Sequence, residues 1–417
     1  MIARATVYHS LWFDLKYYAE TFRPSCVKES TDPDDESVKK FEDEFASYMG
    51  RDYASAFPLA RTALYFALKS QAFAPGDEII MPPITIKPML DIVTALGLKP
   101  VFVDLEPDTF CFDPILLSQA ITKKTKAIFI TYLFGLVPNA SKLVKICREN
   151  NLFIVEDFSQ ALNATLENRK LGAFGDVGIY SSSVTKTLDT YGGGLAVTDD
   201  AALADYLRIA SRELPTPALS ELRKTMRTCL IWNFAMRRIP FTLVVSPLLT
   251  VVGRLSPTVA AKLMGARSNL KRDVELPKSY FKRYLPIQAR AGRELLKTVK
   301  PNDQRRIQNA EELRVALARG KWPTTAELEG SQCVYWQCIV FVNEKQTFVK
   351  KMKRAGFDTG STNLTLISAL DLYPECKSNC KNATKVKHNA MFLPANPRVT
   401  KRAVRKLATL LSPDGSK

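Results

Sequence analysis

Short apolar runs separated by helical patterns dominate the first half of the chain. The runs are rich in isoleucine, valine and phenylalanine, and the clearest are EIIMP, KPVFVDL, KAIFITYLF and FIVED. Apolar residues at helical spacing predict helices between and beside these runs, over residues 59–72, 86–97, 114–121 and 139–150. Continuous apolar strands that alternate with helices are typical of a parallel sheet covered on both faces. The pattern therefore predicts an α/β fold.

Two polar residues lie at or just beyond apolar runs in the middle of the chain. Asp157 ends the run FIVED, and Lys186 follows the run GIYSSS. Ligands of open parallel sheets bind at the carboxyl ends of the strands, where these two side chains would lie. A carboxylate can pair with the protonated ring nitrogen of a pyridine-aldehyde cofactor, and an amine can form a Schiff base with its aldehyde. Either residue alone would be commonplace, but together they imply pyridoxal phosphate (PLP) as the cofactor.

The segment from Phe153 to Asp199 resembles the signature of the DegT/StrS family of sugar aminotransferases. It contains EDFSQAL, then LGAFGDVGIYSSS, then Lys186 and TLDTYGGGLAVTD at the family's spacing. The resemblance implies the PLP-dependent transferase fold type I, with a mainly parallel central sheet flanked by helices and a smaller α+β C-terminal domain. It also implies a homodimer in which Asp157 and Gln160 flank the cofactor ring, Ser181 holds the phosphate and Lys186 forms the Schiff base.

The resemblance extends upstream to the expected phosphate site. Residues 36–60, which contain SVKKFEDEFASYMGRDYASAFPLA, are similar to the family's N-terminal helix and the strand that follows it. Arg61 and Thr62 stand where the family usually has Gly-Thr at the start of the phosphate-binding helix, so the resemblance implies that Thr62 binds phosphate. Arg61 could add a charged contact to the phosphate or crowd the turn. Ile86 replaces the family's usual aromatic residue on the cofactor face, and we expect weaker cofactor retention.

After residue 280 the resemblance is weaker. Phe281 replaces an asparagine that in the family reaches the cofactor phosphate of the neighbouring subunit. The family's HYxPxH region, which helps to shape the sugar site, is replaced by TGSTNLTLISALDLYPEC. These patterns predict an N-terminal extension, a large PLP-binding domain, a basic apolar helical insertion and a small C-terminal domain, over residues 1–35, 36–215, 216–280 and 281–417.

The family's usual activity supplies the functional prediction. The resemblance implies a PLP-dependent aminotransferase that moves an amino group from an amino acid, with glutamate the expected donor, to a keto-sugar. The family's acceptors are commonly nucleotide-linked and serve surface polysaccharide or related glycan biosynthesis. Lys186 favours aminotransfer over the family's dehydratases, which carry histidine there. The departures at Arg61, Ile86 and Phe281 leave an alternative open, a non-catalytic binding or regulatory protein with the same fold.

Positive charge is concentrated in one part of the chain. The formal net charge is +17, and residues 221–290 contain 14 Lys or Arg and 3 Asp or Glu. They surround an apolar stretch over 226–264, whose uncharged run from Ile239 to Gly253 is shorter than the about 20 residues of a spanning helix. The stretch could contact an anionic membrane surface peripherally, or form a helical hairpin against the body or a partner subunit. No nucleic-acid-binding motif accompanies the charge, so we expect no nucleic-acid partner.

The cysteine and histidine residues limit which cellular compartment and which kinds of active site we expect. The eight cysteines lack the spacing of a disulfide framework, and the start of the chain shows no cleavable signal peptide. We therefore expect free thiols and a cytoplasmic protein. If residues 226–264 contact a membrane, the protein would lie peripherally on its inner face. With only His9 and His388, a Ser-His pair or a multi-histidine metal centre is hard to build. Cys376 and Cys380 near His388 lack an evident fourth ligand, and we expect no metal.

Overall fold

A computed structural model describes residues 1–32, 35–256, 275–371, 373 and 376–412. Its helices are α1 (Leu11–Glu20), α2 (Pro24–Thr31), α3 (Ser37–Met49), α4 (Ala60–Lys69), α5 (Lys87–Ala95), α6 (Pro114–Ala120), α7 (Ala140–Glu149), α8 (Ala201–Arg212), α9 (Leu219–Ala235), α10 (Arg238–Pro240), α11 (Ser246–Leu255), α12 (Pro286–Arg319), α13 (Lys345–Arg354), α14 (Lys381–Asn389) and α15 (Lys401–Leu411). Its strands are β1 (Tyr53–Phe57), β2 (Glu78–Met81), β3 (Ile84–Thr85), β4 (Lys99–Phe102), β5 (Thr125–Thr131), β6 (Phe153–Asp157), β7 (Thr165–Leu166), β8 (Arg169–Lys170), β9 (Val177–Ser181), β10 (Gly194–Thr198), β11 (Ser331–Gln332), β12 (Cys338–Phe341), β13 (Thr365–Leu366) and β14 (Ala390–Leu393).

Seven strands form the central sheet in the order β1-β10-β9-β6-β5-β2-β4. Strands β4, β2, β5, β6 and β9 are parallel to one another, and β10 is antiparallel to its neighbours β9 and β1. Every residue of β2 and β10 is buried, as expected for inner strands covered on both faces. The predicted α/β architecture with a mainly parallel central sheet is confirmed.

The four helices predicted from apolar spacing are α4 to α7, each one to four residues shorter than the pattern indicates. The spacing extends into residues that cap the helices. Asn139, for example, has a non-helical backbone, and its side chain accepts a hydrogen bond from the Lys142 nitrogen at 2.9 Å. The helices exist as predicted, and the predicted spans also include the residues that flank them.

The C-terminal part begins with the 34-residue helix α12, which packs against both α3 and α15. Strands β12 and β14 pair in antiparallel fashion, and β12 also contacts α12. At the other end of the chain, α1 packs against α9. The domain boundaries at residues 35, 215 and 280 stay predictions.

The segment predicted as an insertion is helical where it is described. Helix α9 is followed by α10, a π-helical turn (Phe241–Val245) and α11, whereas residues 257–274 lie outside the described residues. Among the described residues, no single helix is long and apolar enough to cross a membrane. The pair Leu219–Ala235 and Arg238–Val252 passes that test together, by length and composition only, with a bend of 75° between its members.

Candidate functional site

The acid and the lysine predicted from the sequence lie at the same edge of the sheet. Strands β6 and β9 are parallel neighbours, and Asp157, the last residue of β6, is in register with Ile179 of β9. The chain leaves β9 at Ser181 and turns, with the Lys186 nitrogen donating to the Ser183 carbonyl at 3.0 Å. Parallel pairing therefore brings Asp157 and Lys186 to the carboxyl edge, as predicted.

Burial acts on these two side chains in opposite directions. It lowers the pKa of Lys186 to about 8, and the charge of Asp157 only partly offsets this effect. Burial likewise raises the pKa of Asp157, against the opposing effects of hydrogen bonds from Ser159 and the charge of Lys186. The site thus holds an amine with a neutral form accessible near pH 8, close to a buried carboxyl group.

A tryptophan that the sequence analysis did not identify covers the lysine. The Lys186 Nζ atom lies 4.5 Å from the ring centroid of Trp336, and the Trp336 Nε1 atom donates to the Thr185 carbonyl at 3.3 Å. Gly135 makes this approach possible, since a β-carbon there would lie 2.5 Å from the Trp336 backbone nitrogen. Sequence spacing gives no sign of this contact, which joins residues 150 positions apart.

Hydroxyl groups cluster around the end of β9. The Ser181 backbone nitrogen donates to the Ser159 hydroxyl at 2.8 Å, and the Ser181 and Ser183 hydroxyls lie 3.1 Å apart. Ser159 and Ser183 were not singled out from the sequence, although each lies within two residues of a motif position. Gln160 is buried, and its Oε1 atom accepts from the Phe134 nitrogen at 2.8 Å, so it fixes the loop after β5.

The start of α4 is held close to the sheet. A β-carbon on Gly194 would lie 2.2 Å from the Ala60 backbone nitrogen, so only glycine permits this approach. Thr62, predicted to bind phosphate, donates its hydroxyl to the Tyr280 carbonyl at 2.6 Å. Arg61 stacks on the Tyr280 ring at 4.8 Å from its centroid and donates to the Tyr280 hydroxyl at 3.0 Å. Tyr280 therefore contacts both residues in this conformation.

The two apolar departures from the family pattern have different surroundings. Phe281 packs edge-on against Tyr65 and Phe66 of α4, with ring centroids 5.1 and 6.2 Å apart. Ile86 is half-buried and immediately precedes α5. Phe281 therefore stabilises the helix that was expected to receive the phosphate.

The residues at this edge fit PLP. In addition to the amine and the acid, Thr131 at the end of β5 is in register with Asp157, and its buried hydroxyl has no hydrogen-bond partner among the described residues. A buried hydroxyl without a partner is costly, and a polar ligand that enters the edge would satisfy it. Residues that could hold the group are Lys186, Asp157, Gln160, Ser181, Ser183 and Thr131.

A second polar cluster, also missed from the sequence, lies beyond the turn that carries Lys186. The ligand atoms of His9, Asp14 and Cys229 lie within 4.8 Å of one another, and all three residues are buried. Both ring nitrogens of His9 already have oxygen partners at 2.7 Å, the Asp14 carboxylate and the Asp189 carbonyl. The geometry is that of a hydrogen-bond network.

Comparison with known proteins gives matches along most of the chain. The model of the DegT/DnrJ/EryC1/StrS aminotransferase family matches residues 27–230 and 268–412. The spore coat polysaccharide biosynthesis protein SpsC of Bacillus subtilis strain 168 is 35% identical over 174 residues, which are 42% of this chain and 45% of that protein. GDP-perosamine synthase of Caulobacter vibrioides is 36% identical over 172 residues, 41% of this chain and 46% of that protein. The chain thus spans less than half the length of these curated relatives.

Solved structures match over nearly the whole chain. Sugar aminotransferase CalS13 from Micromonospora echinospora superposes with a TM-score of 0.73 at 20% identity and covers 98% of both chains. GDP-4-keto-6-deoxymannose-3-dehydratase (ColD) superposes with a TM-score of 0.73 at 21% identity and covers 99% of this chain and 100% of that one. At these identities the likeness shows the fold alone, which is PLP-dependent transferase fold type I, as predicted. With its model matching most of the sequence, the chain belongs to the DegT/DnrJ/EryC1/StrS aminotransferase family.

Proposed function

We propose that this protein is a PLP-dependent aminotransferase that transfers an amino group from an amino acid, with glutamate the expected donor, to a nucleotide-linked keto-sugar. One observation carries the proposal: a half-buried lysine with its pKa lowered to about 8 interacts electrostatically with a buried aspartate at the carboxyl edge of a parallel sheet. Relatives named for GDP-perosamine synthesis and for spore coat polysaccharide support the sugar substrate and the role in glycan biosynthesis.

PLP, when bound, supplies the electron sink that the reaction needs. Lys186 would hold the cofactor through Nζ, and the same amine, once released, would take the proton from the donor's α-carbon and pass it on to the cofactor. A pKa of about 8 suits this work, because general bases act best when their pKa lies near the working pH. Asp157 would keep the proton on the ring nitrogen, and burial strengthens that pairing.

The phosphate end of the site is proposed from the resemblance and from the hydroxyl cluster. Ser181 and Ser183 present two hydroxyls 3.1 Å apart. Thr62 lies in the first turn of α4, where backbone N–H groups and the helix dipole favour an anion. We propose that Ser181, Thr62 and Arg61 bind the phosphate, and that Thr62 and Arg61 exchange contacts with Tyr280 for contacts with the phosphate.

The contacts with Tyr280 also favour a second candidate function. Arg61 and Thr62, the residues proposed to bind the phosphate, are instead hydrogen-bonded to Tyr280 of the same chain. This arrangement would suit a PLP-fold protein that binds a ligand without catalysis. The intact set of Asp157, Gln160, Ser181 and Lys186 supports the enzyme.

The family resemblance further supports a homodimer, which sedimentation analysis of the purified protein would test.

Replacement of Lys186 tests the enzyme directly. Lys186→Ala should lower the rate of amino transfer from glutamate to GDP-4-keto-6-deoxymannose by at least about a thousandfold, because the amine both holds the cofactor and moves the proton. Lys170→Ala is the matched control, since burial also lowers the pKa of Lys170 to about 8. Release of 2-oxoglutarate measures the rate. Undiminished activity of the Lys186→Ala protein would refute the mechanism, and a wild-type protein that binds PLP without turnover would favour the second candidate.

A further inference from the structure

One face of the helices from 238 to 255 is apolar and turned to solvent. Six large side chains on this face are at least half exposed, from 53% for Leu248 to 81% for Leu255. They form what we call the exposed apolar surface: Ile239, Leu243, Val244, Leu248, Val251 and Leu255. A surface helix of a globular protein normally turns such residues toward the core. A contiguous exposed apolar face therefore marks an interaction site.

Polar contacts to the body fix this orientation. Thr242, Ser246 and Thr250 recur every four residues on the opposite side of the helix. Thr242 bonds to the amino terminus of Met1, and the Ser246 hydroxyl lies 3.4 Å from the Met1 sulfur. Thr250 accepts a hydrogen bond from Lys353 at the end of α13. The polar side thus faces the protein, and rotating the helix to bury its apolar side would break these three contacts.

Exposed cations precede the exposed apolar surface along the chain, and others lie on α13, which contacts the polar side of the helix. Arg237 and Arg238 are exposed at the bend that precedes it, and residues 219–256 contain six Lys or Arg and one acid. Beyond Thr250, α13 presents four exposed basic side chains: Lys350, Lys351, Lys353 and Arg354. Three of these, all but Lys353, line a surface cavity of about 470 Å³. Arg237 and Arg238 therefore adjoin the exposed apolar surface directly.

The exposed apolar side chains and nearby cations together favour a partner that is both apolar and negatively charged. A twofold contact with a second copy would bring like charges together, which costs energy. The headgroup region of an anionic bilayer offers phosphates beside hydrocarbon, and it attracts basic segments by about 1 kcal/mol per cation. We propose that the exposed apolar surface lies in the headgroup region of an anionic membrane, with the flanking cations on lipid phosphates. This inference goes beyond the proposed function and does not rest on it.

Vesicle sedimentation tests the proposal. The wild-type protein should sediment with phosphatidylcholine vesicles that contain about 30% phosphatidylglycerol, more weakly with phosphatidylcholine alone, and less as salt rises. Leu243→Ser with Leu248→Ser should weaken binding at least about tenfold, because it removes two apolar side chains from the contact. Arg237→Glu with Arg238→Glu should weaken binding to the anionic vesicles by at least about tenfold.

The chain offers a matched control for the apolar variant. Ile115 and Ile209 are exposed by 67% and 55% outside this surface, so Ile115→Ser with Ile209→Ser should leave vesicle binding unchanged. Absence of wild-type binding to the anionic vesicles would overturn the proposal, as would an equal loss in the control. A wild-type dimer that Leu243→Ser with Leu248→Ser dissociates in sedimentation velocity would also overturn it, in favour of a second copy as the partner.

Discussion

At the scale of single residues, burial shifts the pKa values of several side chains in this protein. Lys186 and Asp157 are drawn toward their neutral forms by the same loss of solvent, although one is a base and the other an acid. A cationic ring nitrogen beside Asp157 would reverse this effect for the acid, since an opposite charge favours the carboxylate. The site is therefore suited to a ligand that brings its own positive charge.

Burial also shifts the pKa of Glu42, which is not part of the candidate site. It is buried in α3, its Oε1 atom accepts from the Ala56 nitrogen at 2.6 Å, and burial raises its pKa from 4.5 to about 7. A raised folded-state pKa contributes stability below the unfolded-state pKa, and this stability is lost as pH rises through the folded-state value. The protein should thus lose stability between about pH 4.5 and pH 7 through this residue.

Glu42→Gln keeps an acceptor for Ala56 but does not titrate. Relative to wild type, its free energy of unfolding should therefore rise by about 2.5 kcal/mol between pH 5 and pH 8, as follows from the size of the pKa shift. Urea unfolding at both pH values measures this difference. Glu44→Gln, on the same helix but in a surface pair with Arg293, should show no comparable rise. A difference between Glu42→Gln and wild type that is independent of pH would contradict this account.

At the scale of elements, one buried histidine joins three segments that are distant in sequence. His9 contacts the Asp14 carboxylate at the start of α1 and the Asp189 carbonyl three residues after Lys186. Its own carbonyl accepts a hydrogen bond from Asn233 of α9 at 3.0 Å. Burial alone would lower the pKa of His9, but the charges and hydrogen bonds of Asp189 and Asp14 outweigh it and raise the pKa. The imidazolium form thus holds the N-terminal segment and α9 to the turn that carries Lys186.

His9→Ala should lower the free energy of unfolding by about 3 kcal/mol at pH 6, because it leaves buried carboxylates without their cation. A raised folded-state pKa means that the stabilisation is complete below the unfolded-state value of about 6.5 and is lost as pH rises through the folded-state value. The deficit of the variant should therefore shrink in alkaline solution. His388 is exposed, so His388→Ala should be nearly neutral. Equal deficits in the two variants under urea unfolding would be inconsistent with the buried network.

The elements also show what the sequence could predict. Strand β6 and its acid were located correctly, because a continuous apolar run ending in a carboxylate is a local signal. The contacts of Trp336 with Lys186 and of Tyr280 with Thr62 were missed, since each joins residues at least 150 positions apart without a periodic signature. Arg61 was considered only in relation to phosphate, and its stacking on Tyr280 could not be inferred from the turn alone.

At the scale of the whole molecule, the parts of the chain that match the family are separate from the part that does not. The family model matches on both sides of residues 231–267, and the fold is shared over nearly the full length with solved sugar aminotransferases. The unmatched part includes the whole of the exposed apolar surface and falls in the most basic window of the chain. The shared parts thus carry the proposed chemistry, and the unmatched part carries the proposed membrane contact.

The most direct test of the central claim is to trap PLP on the purified protein with borohydride and map the modified peptide, after recording the visible absorbance with and without glutamate. We predict a visible band that glutamate bleaches and a reduced label on Lys186 alone. Lys170, whose pKa burial also lowers to about 8, provides an internal comparison. No visible band, or a label on Lys170 in place of Lys186, would contradict the assignment of Lys186 as the cofactor-binding lysine.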